Sequence, residues 1–343
     1  MTAHLRVLMW PTDSGVNPYV QQLVQELSAQ GVSVARPTAL ESMRRHAAFH
    51  VHWPDWTLRG RSMPVAFARV ALFMAVATWQ RVMGARLIWT VHNLQPHGES
   101  SRVARALLYR FLRWAVHEQI HLSAATASDM DAVAHPCRKK PHRVIPIGIF
   151  ERASTRAVIA ELDGESSPPL VCAVGVISQY KGLEQLARTF LSTPLDARLV
   201  IAGLKDDSQL GQRLEHLAAQ DSRTQVVLRA LDEAELDWLY DRSTFAVFQF
   251  QRILNSASVL RALDAGVPAF VPNTRTFQHL LAEVGPRWLK LYDGALDGAL
   301  LSDALGWARS LEPSPPPRPK HREWQAVAAA HRFVYSADVN PHD

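Results

Sequence analysis

Short apolar runs, each followed by a helix-like pattern, recur along this chain. A chain punctuated in this way folds as parallel sheet covered by helices. Residues 5–10 form the first run. A turn-rich stretch follows, then Tyr19, Leu23 and Leu27 at helical spacing with a stop at Gly31, and a second strand at 32–35. Further strands are expected at 49–53, 86–92, 121–127 and 144–147, with helices between them. A second series opens at 170–176. It continues through strands at 197–202, 224–229, 245–250 and 269–271, and through helices at 182–191, 209–220, 233–242 and 256–265. Between the two series, residues 151–168 are polar and bear Gly and Pro near their end, as a linker would. The expected organisation is therefore a first lobe over 1–150, a linker over 151–168 and a second lobe over 169–312. Beyond a stiff Pro-rich spacer, a last helix over 319–337 packs back on the first lobe through Trp324, Val327, Ala328, His331 and Val334. The fold class is α/β, two doubly wound parallel-sheet lobes facing a cleft.

The 343 residues suffice for two cores, and 48% apolar with 20% charged residues excludes disordered and collagenous chains. Two cysteines, Cys137 and Cys172, cannot build a disulfide framework or a four-cysteine zinc site, which fits a reducing compartment. The chain opens on a strand pattern rather than anything resembling a signal peptide. Its longest apolar stretch, 64–79, is interrupted by Arg69 and falls short of the roughly 20 residues a spanning helix needs. An integral membrane protein of the usual kind is not expected.

Charge is unevenly distributed. Residues 1–150 carry 17 Lys/Arg and 8 Asp/Glu, a net +9, whereas the remainder carries −4 of the overall +5. The first lobe is the half that would attract an anionic partner. Within it, 58–87 mixes arginines with Phe67, Leu72, Phe73 and Trp79, and 102–117 alternates Arg102, Arg105, Arg110 and Arg113 with Val103, Leu107, Tyr109, Phe111 and Trp114. Such helices either lie in an anionic membrane interface or pack as surface helices with their arginines in water. No nucleic-acid-binding module or aromatic platform motif is present, so nucleic acid is not an expected partner.

Four loops at strand ends carry the candidate chemistry. The first holds Asp13 and Gly15 before a helix start, where backbone can approach an anion; an ordinary turn capped by Asp13 is the alternative. The second, after the strand at 86–92, crowds His92, Asn93, His97 and Glu99. There His92 is a phosphate or hydroxyl contact or a base near neutral pH, and a zinc site completed by His50 or His52 is the further alternative to a plain surface turn. The third places Lys181 at a helix start, where cation and helix dipole act together on a diphosphate. The fourth carries Arg252, Asn255, Ser256 and Ser258 into another helix start, with Ser256 alternatively only a cap. No G-x-S-x-G, H-E-x-x-H or paired C-x-x-C pattern supports a hydrolase triad or a metalloprotease.

The second-lobe segments VGVISQYKG, VIAGLKDD, LDEAELDWLYDRSTFAVFQFQ and NSASVLRALDAGVPAFVP follow one another as in GT-B glycosyltransferases, which the chain resembles over most of its length. The paired glutamates of retaining members have no counterpart, their places falling near Ile253 and Arg261. With WTVHNLQPHGES in the first lobe, the chain is more similar to the membrane-associated β-mannosyltransferases of exopolysaccharide assembly, of the xanthan type. The resemblance implies an inverting, metal-independent transferase moving mannose from GDP-mannose to a lipid-linked saccharide. Asp13, His92 and Glu99 are the base candidates, and Gly15, Lys181, Arg252, Asn255, Ser256 and Ser258 the donor contacts. No cofactor is expected, and the expected location is cytoplasmic, peripheral to the inner face of the cell membrane. A nucleotide-sugar epimerase of the same fold and a non-catalytic binding protein are the alternatives.

Overall fold

The computed structural model describes residues 5–12, 18–58, 62–94, 101–154, 157–162, 168–250, 254 and 256–337. Asp13, Gly15, Glu99, Arg252 and Asn255 lie outside the described residues. The chain divides into two compact units, passing into the second at Ile149 and back into the first at Lys320.

The first unit is built on six parallel strands: β1 (Leu5–Trp10), β2 (Val32–Ala35), β3 (Ala48–Val51), β4 (Arg86–Val91), β5 (Glu118–His121) and β6 (His142–Val144), in the order β2-β1-β3-β4-β5-β6. Helices α1 (Tyr19–Ala29), α2 (Ala39–Met43), α3 (Met63–Val82), α4 (Arg102–Ala115) and α5 (Thr126–Ala132) connect them. Strands β3 and β5 are buried at every position, as parallel strands covered on both faces must be. The order reverses between β1 and β3, and at such a switch the loops after two neighbouring strands diverge and leave room for a ligand.

The second unit repeats the plan with β7 (Leu170–Val174), β8 (Arg198–Ala202), β9 (Thr224–Val227), β10 (Ser243–Val247), β11 (Ala269–Pro272) and β12 (Leu289–Tyr292), ordered β12-β11-β10-β7-β8-β9. Its helices are α6 (Leu183–Ser192), α7 (Ser208–Ala218), α8 (Glu233–Arg242), α9 (Ala257–Asp264), α10 (Arg275–Val284) and α11 (Gly298–Arg309). Here the reversal falls between β7 and β10. Side chains of Asp207, Asp232, Ser256, Thr274 and Asp297 accept amide hydrogens at the helix starts that follow them, so these starts are fixed by local capping. The last helix, α12 (Trp324–Ser336), belongs to the first unit and lies on α1, burying Trp324, Val327, Ala328, His331, Val334 and Tyr335.

Several expectations differ from the structure. The strands expected at 121–127 and 144–147 lie earlier in the chain, as β5 and β6, and α5 opens at Thr126. The segment read as a linker over 151–168 is in its described part a covering of the second unit. Phe150 N donates to Asp264 Oδ2 at 2.9 Å, Ala153 N donates to Asp237 Oδ2 at 2.7 Å, and Ile159 and Leu162 are buried in that unit's core. Its polar composition hid two apolar anchors, and the Ala153 amide and that of Phe150 just before the segment are satisfied by buried carboxylates on α8 and α9. The apolar stretch counted as 64–79 is a 20-residue helix, α3, with a mean hydropathy of 1.3, which by length and composition is enough to cross a membrane. In the fold it covers the sheet through Ala66, Val70, Phe73 and Ala77, yet only 28% of its apolar window is buried.

Candidate active site

In the second unit the loops after β7 and β10, neighbours at the strand-order reversal, bring together two of the candidate residues. Gly175 follows β7 with φ +135°, a conformation that L side chains rarely adopt. A Cβ there would collide with Lys181 Nζ and stand 3.0 Å from Ser258 Oγ, so ammonium and hydroxyl converge on the bare glycine. Lys181 is only 8% exposed and has no acidic partner among the described residues; burial lowers its pKa to about 8. Gly182 then opens α6 without a side-chain cap, leaving first-turn amides unspent beside that cation. A buried ammonium without an acidic partner among the described residues, next to a helix start and a hydroxyl, has the chemistry to receive a di- or monophosphate.

Ser256 is the cap of α9: its Oγ accepts from Val259 N at 3.2 Å, so its lone pair is engaged locally. Ser258, in the first turn, is the hydroxyl that reaches Gly175. Sequence reasoning did not single out Gln249, whose buried Oε1 has no hydrogen-bond partner among the described residues and is an acceptor suited to a sugar or ribose hydroxyl. Arg261, near where a retaining enzyme's second glutamate falls, is buried in a network with Asp237 at 2.9 Å and Glu233 at 2.7 Å, and donates to the Glu151 carbonyl at 3.0 Å. It holds the 149–153 segment to α8 and α9.

In the first unit, His92 follows β4, half-buried, and stacks on Trp53 with ring centroids 4.1 Å apart. Its Nε2 lies 3.1 Å from His52 Nδ1. His50, one strand pleat from His52, spends both nitrogens at 2.7 Å on Tyr335 Oη and Thr90 Oγ1. The zinc arrangement is thereby corrected. The imidazoles pair with one another and with hydroxyls, and no three His, Cys, Asp or Glu side chains among the described residues group as metal ligands.

The pairing also sets tautomers. His52 Nε2 is buried without a partner among the described residues. An orphaned lone pair there costs less than an orphaned N–H, so His52 carries its proton on Nδ1 and donates to His92 Nε2. His92 then presents Nδ1–H, a donor. Burial also pushes the His92 pKa down to about 3, so the ring is neutral and a weak base. Tautomer and lowered pKa together fit His92 to hydrogen-bond a phosphate or hydroxyl oxygen better than to abstract a proton.

No family model matches the chain. A GDP-mannose:glycolipid 4-beta-D-mannosyltransferase from Xanthomonas campestris pv. campestris is 28% identical over 328 residues, covering 94% of this chain and 89% of that protein. Sucrose-phosphate synthase from Thermosynechococcus elongatus superimposes with a TM-score of 0.67 at 16% identity, over 96% of this chain and 98% of that one. Anabaena HepE, solved with UDP and glucose, superimposes with a TM-score of 0.61 at 11% identity, over 98% and 95%. The two doubly wound sheets, with the last helix returning to the first, are thus those of the GT-B fold, and over nearly its whole length the chain is similar in sequence to a mannosyltransferase acting on glycolipid.

Proposed function

We propose that the chain is a glycosyltransferase that moves mannose from GDP-mannose to a lipid-linked saccharide, with inversion and without a metal ion. The observation that carries the donor site is the convergence of Lys181 Nζ and Ser258 Oγ on Gly175 at the strand-order reversal. The full-length similarity to a GDP-mannose:glycolipid mannosyltransferase supports the sugar and the acceptor class. The second unit holds the nucleotide diphosphate. Lys181 offsets the charge that develops on the leaving phosphate, the part a bound metal ion plays elsewhere. Arg252 and Asn255 complete the donor contacts with Ser258, Ser256 holds the same helix start as its cap, and Gly15 lets backbone approach the ligand in the first unit.

The acceptor belongs to the first unit. His92 positions it by donating from Nδ1, and the proton of the attacking hydroxyl passes to a carboxylate, Asp13 or Glu99. Arginine-bearing α3 and α4 face anionic lipid at the inner surface of the cell membrane, where the enzyme acts from the cytoplasm. On α4, the exposed Val103, Leu107, Arg110 and Trp114 line one face of the helix, an arrangement that favours an interface over water.

Equilibrium titration with GDP-mannose, paired with transfer to a glycolipid acceptor, tests the reading. Lys181→Ala is expected to weaken donor binding at least about tenfold, the scale of a lost charge-assisted contact. Wild-type affinity is expected to fall as pH rises through about 8, because the ammonium is charged only below its lowered pKa. Asp13→Asn or Glu99→Gln abolishes transfer while sparing donor binding. Undiminished binding by Lys181→Ala, or conversion of the sugar nucleotide with no acceptor present, overturns the proposal.

A further inference from the structure

On the first unit a groove of about 870 Å³ opens between α2, α3 and the ends of β1 and β3. Its wall is almost wholly hydrocarbon and aromatic, including Trp10, Phe49, Trp56, Phe73, Val76 and Trp79. The floor is fixed. Phe73 stacks on Trp10 at 5.6 Å and meets Phe49 at 6.2 Å, and Trp79 Nε1 donates to the Met43 carbonyl at 3.2 Å, tying α3 to the end of α2. The mouth is open, because Met43 is 68% and Leu72 67% exposed.

Beside the mouth, Val65, Ala68, Leu72, Ala75, Trp79 and Val82 run down the exposed side of α3 at alternating spacings of three and four. The exposed apolar stripe and the groove form one surface. Such an area on a soluble domain marks a binding site rather than chance exposure. The volume is that of a pocket for a small-molecule ligand, in the range of roughly 300–1,000 Å³.

Charge says which apolar ligand fits. Helices α3 and α4 carry Arg69, Arg81, Arg102, Arg105, Arg110 and Arg113 and no acidic residue, and Arg69 lines the groove itself. Glu41 on α2 is already paired with Arg6 and Arg44 at 2.7 and 2.8 Å, so an apolar slot beside two helices whose charged residues are all cations is complementary to a hydrocarbon chain that bears an anionic head. The inner wall also leads to the candidate acceptor position. Trp56 stacks on Trp53 at 5.4 Å, and Trp53 stacks on His92 at 4.1 Å.

We propose that this groove seats the hydrocarbon chain of the lipid-linked acceptor, so that the chain's head end lies at the Trp53–His92 stack. The proposal rests on the acceptor class given above and adds the place where its lipid part is held.

The test is a calorimetric titration, without donor, of the intact protein with hexyl, octyl and decyl mannosides kept below their micelle concentrations. Affinity is expected to rise with chain length by up to about fourfold per methylene, the value of moving one from water into an apolar site. Ala75→Trp and Ala39→Trp, exposed positions on either side of the mouth, fill the groove without disturbing the core and are expected to abolish that gain. Ala106→Trp, exposed on α4 away from the groove, leaves it intact. Equal affinities across the series, or an undiminished gain in both groove variants, overturn the proposal. Binding to anionic vesicles with no chain-length dependence shows that the surface only rests on a bilayer, and a dimer broken by Ala75→Trp without effect on the mannosides shows that a second copy covers it; either result also overturns the proposal. Mannosyl transfer is scored separately. Its absence on every acceptor removes the transferase reading, while the titration alone decides the groove.

Discussion

Gly175 shows how one missing side chain sets the chemistry around it. With φ at +135° and Lys181 Nζ and Ser258 Oγ over its Cα, the position tolerates no Cβ, and the lysine reaches the strand end only because the space is empty. Gly175→Ala is therefore expected to destabilise the second unit by about 1–3 kcal/mol through backbone strain. It should also weaken nucleotide binding at least as much as Lys181→Ala, read by melting and by GDP titration. A folded Gly175→Ala with native affinity would take Lys181 out of the donor site. The lysine was legible in the sequence, since a cation before a helix start after a strand is a recognisable pattern. The glycine's part was not, because only the fold brings the β10 loop to the β7 loop. His92 was likewise visible at a strand end, but its proton-accepting role depended on a tautomer that His52, 40 residues away, determines.

At the level of elements, α12 is the clearest success of periodicity and the clearest structural dependency. Its apolar spacing predicted a helix and a buried face, and the structure lays that face on α1, with Tyr335 bonded to His50. Gly148 marks how closely it docks, since a Cβ there would collide with the indole of Trp324. Gly148→Val is expected to cost the first unit about 1–3 kcal/mol by overpacking, with the second unit unchanged. Unit-resolved hydrogen exchange measures this, and equal loss of protection in both units would contradict it. Elements that failed to show in the sequence share a cause. The five-residue α2 has no buried residue and so no hydrophobic period, and the segment after Phe150 is anchored by the isolated apolar Ile159 and Leu162 and by the Ala153 amide, none of which makes a periodic pattern. The exposed stripe of α3 was invisible because a helix apolar all round does not announce which side faces water.

Across the whole molecule the two units differ in how they titrate. Burial holds His92 and His121 down to about 3, with His142 adding to the effect at His121, and burial holds His331 to about 4; His50 and His52 also lie well below the usual histidine value. All belong to the first unit. Their native pKa values are depressed, so between about 6.5 and the native value the unfolded chain binds protons that the folded unit refuses, and stability falls as pH falls through that window. At pH 5 the fully buried His121 and His331 each withdraw about 2 kcal/mol. The first unit is expected to unfold on acidification before the second, as two transitions in calorimetry or exchange; one shared transition would refute this. The sequence by itself determined the alternation of strand and helix, the two α/β series, the basic first half and the strand-end loops that hold the candidate site residues, because these are properties of neighbours along the chain. Only the tertiary structure decided that Lys181 and Ser258 meet on Gly175, that His92 is held by His52, and that an apolar groove opens beside α3. Each of these joins residues far apart in the chain, and their distances are set by sheet order and helix packing rather than by local spacing.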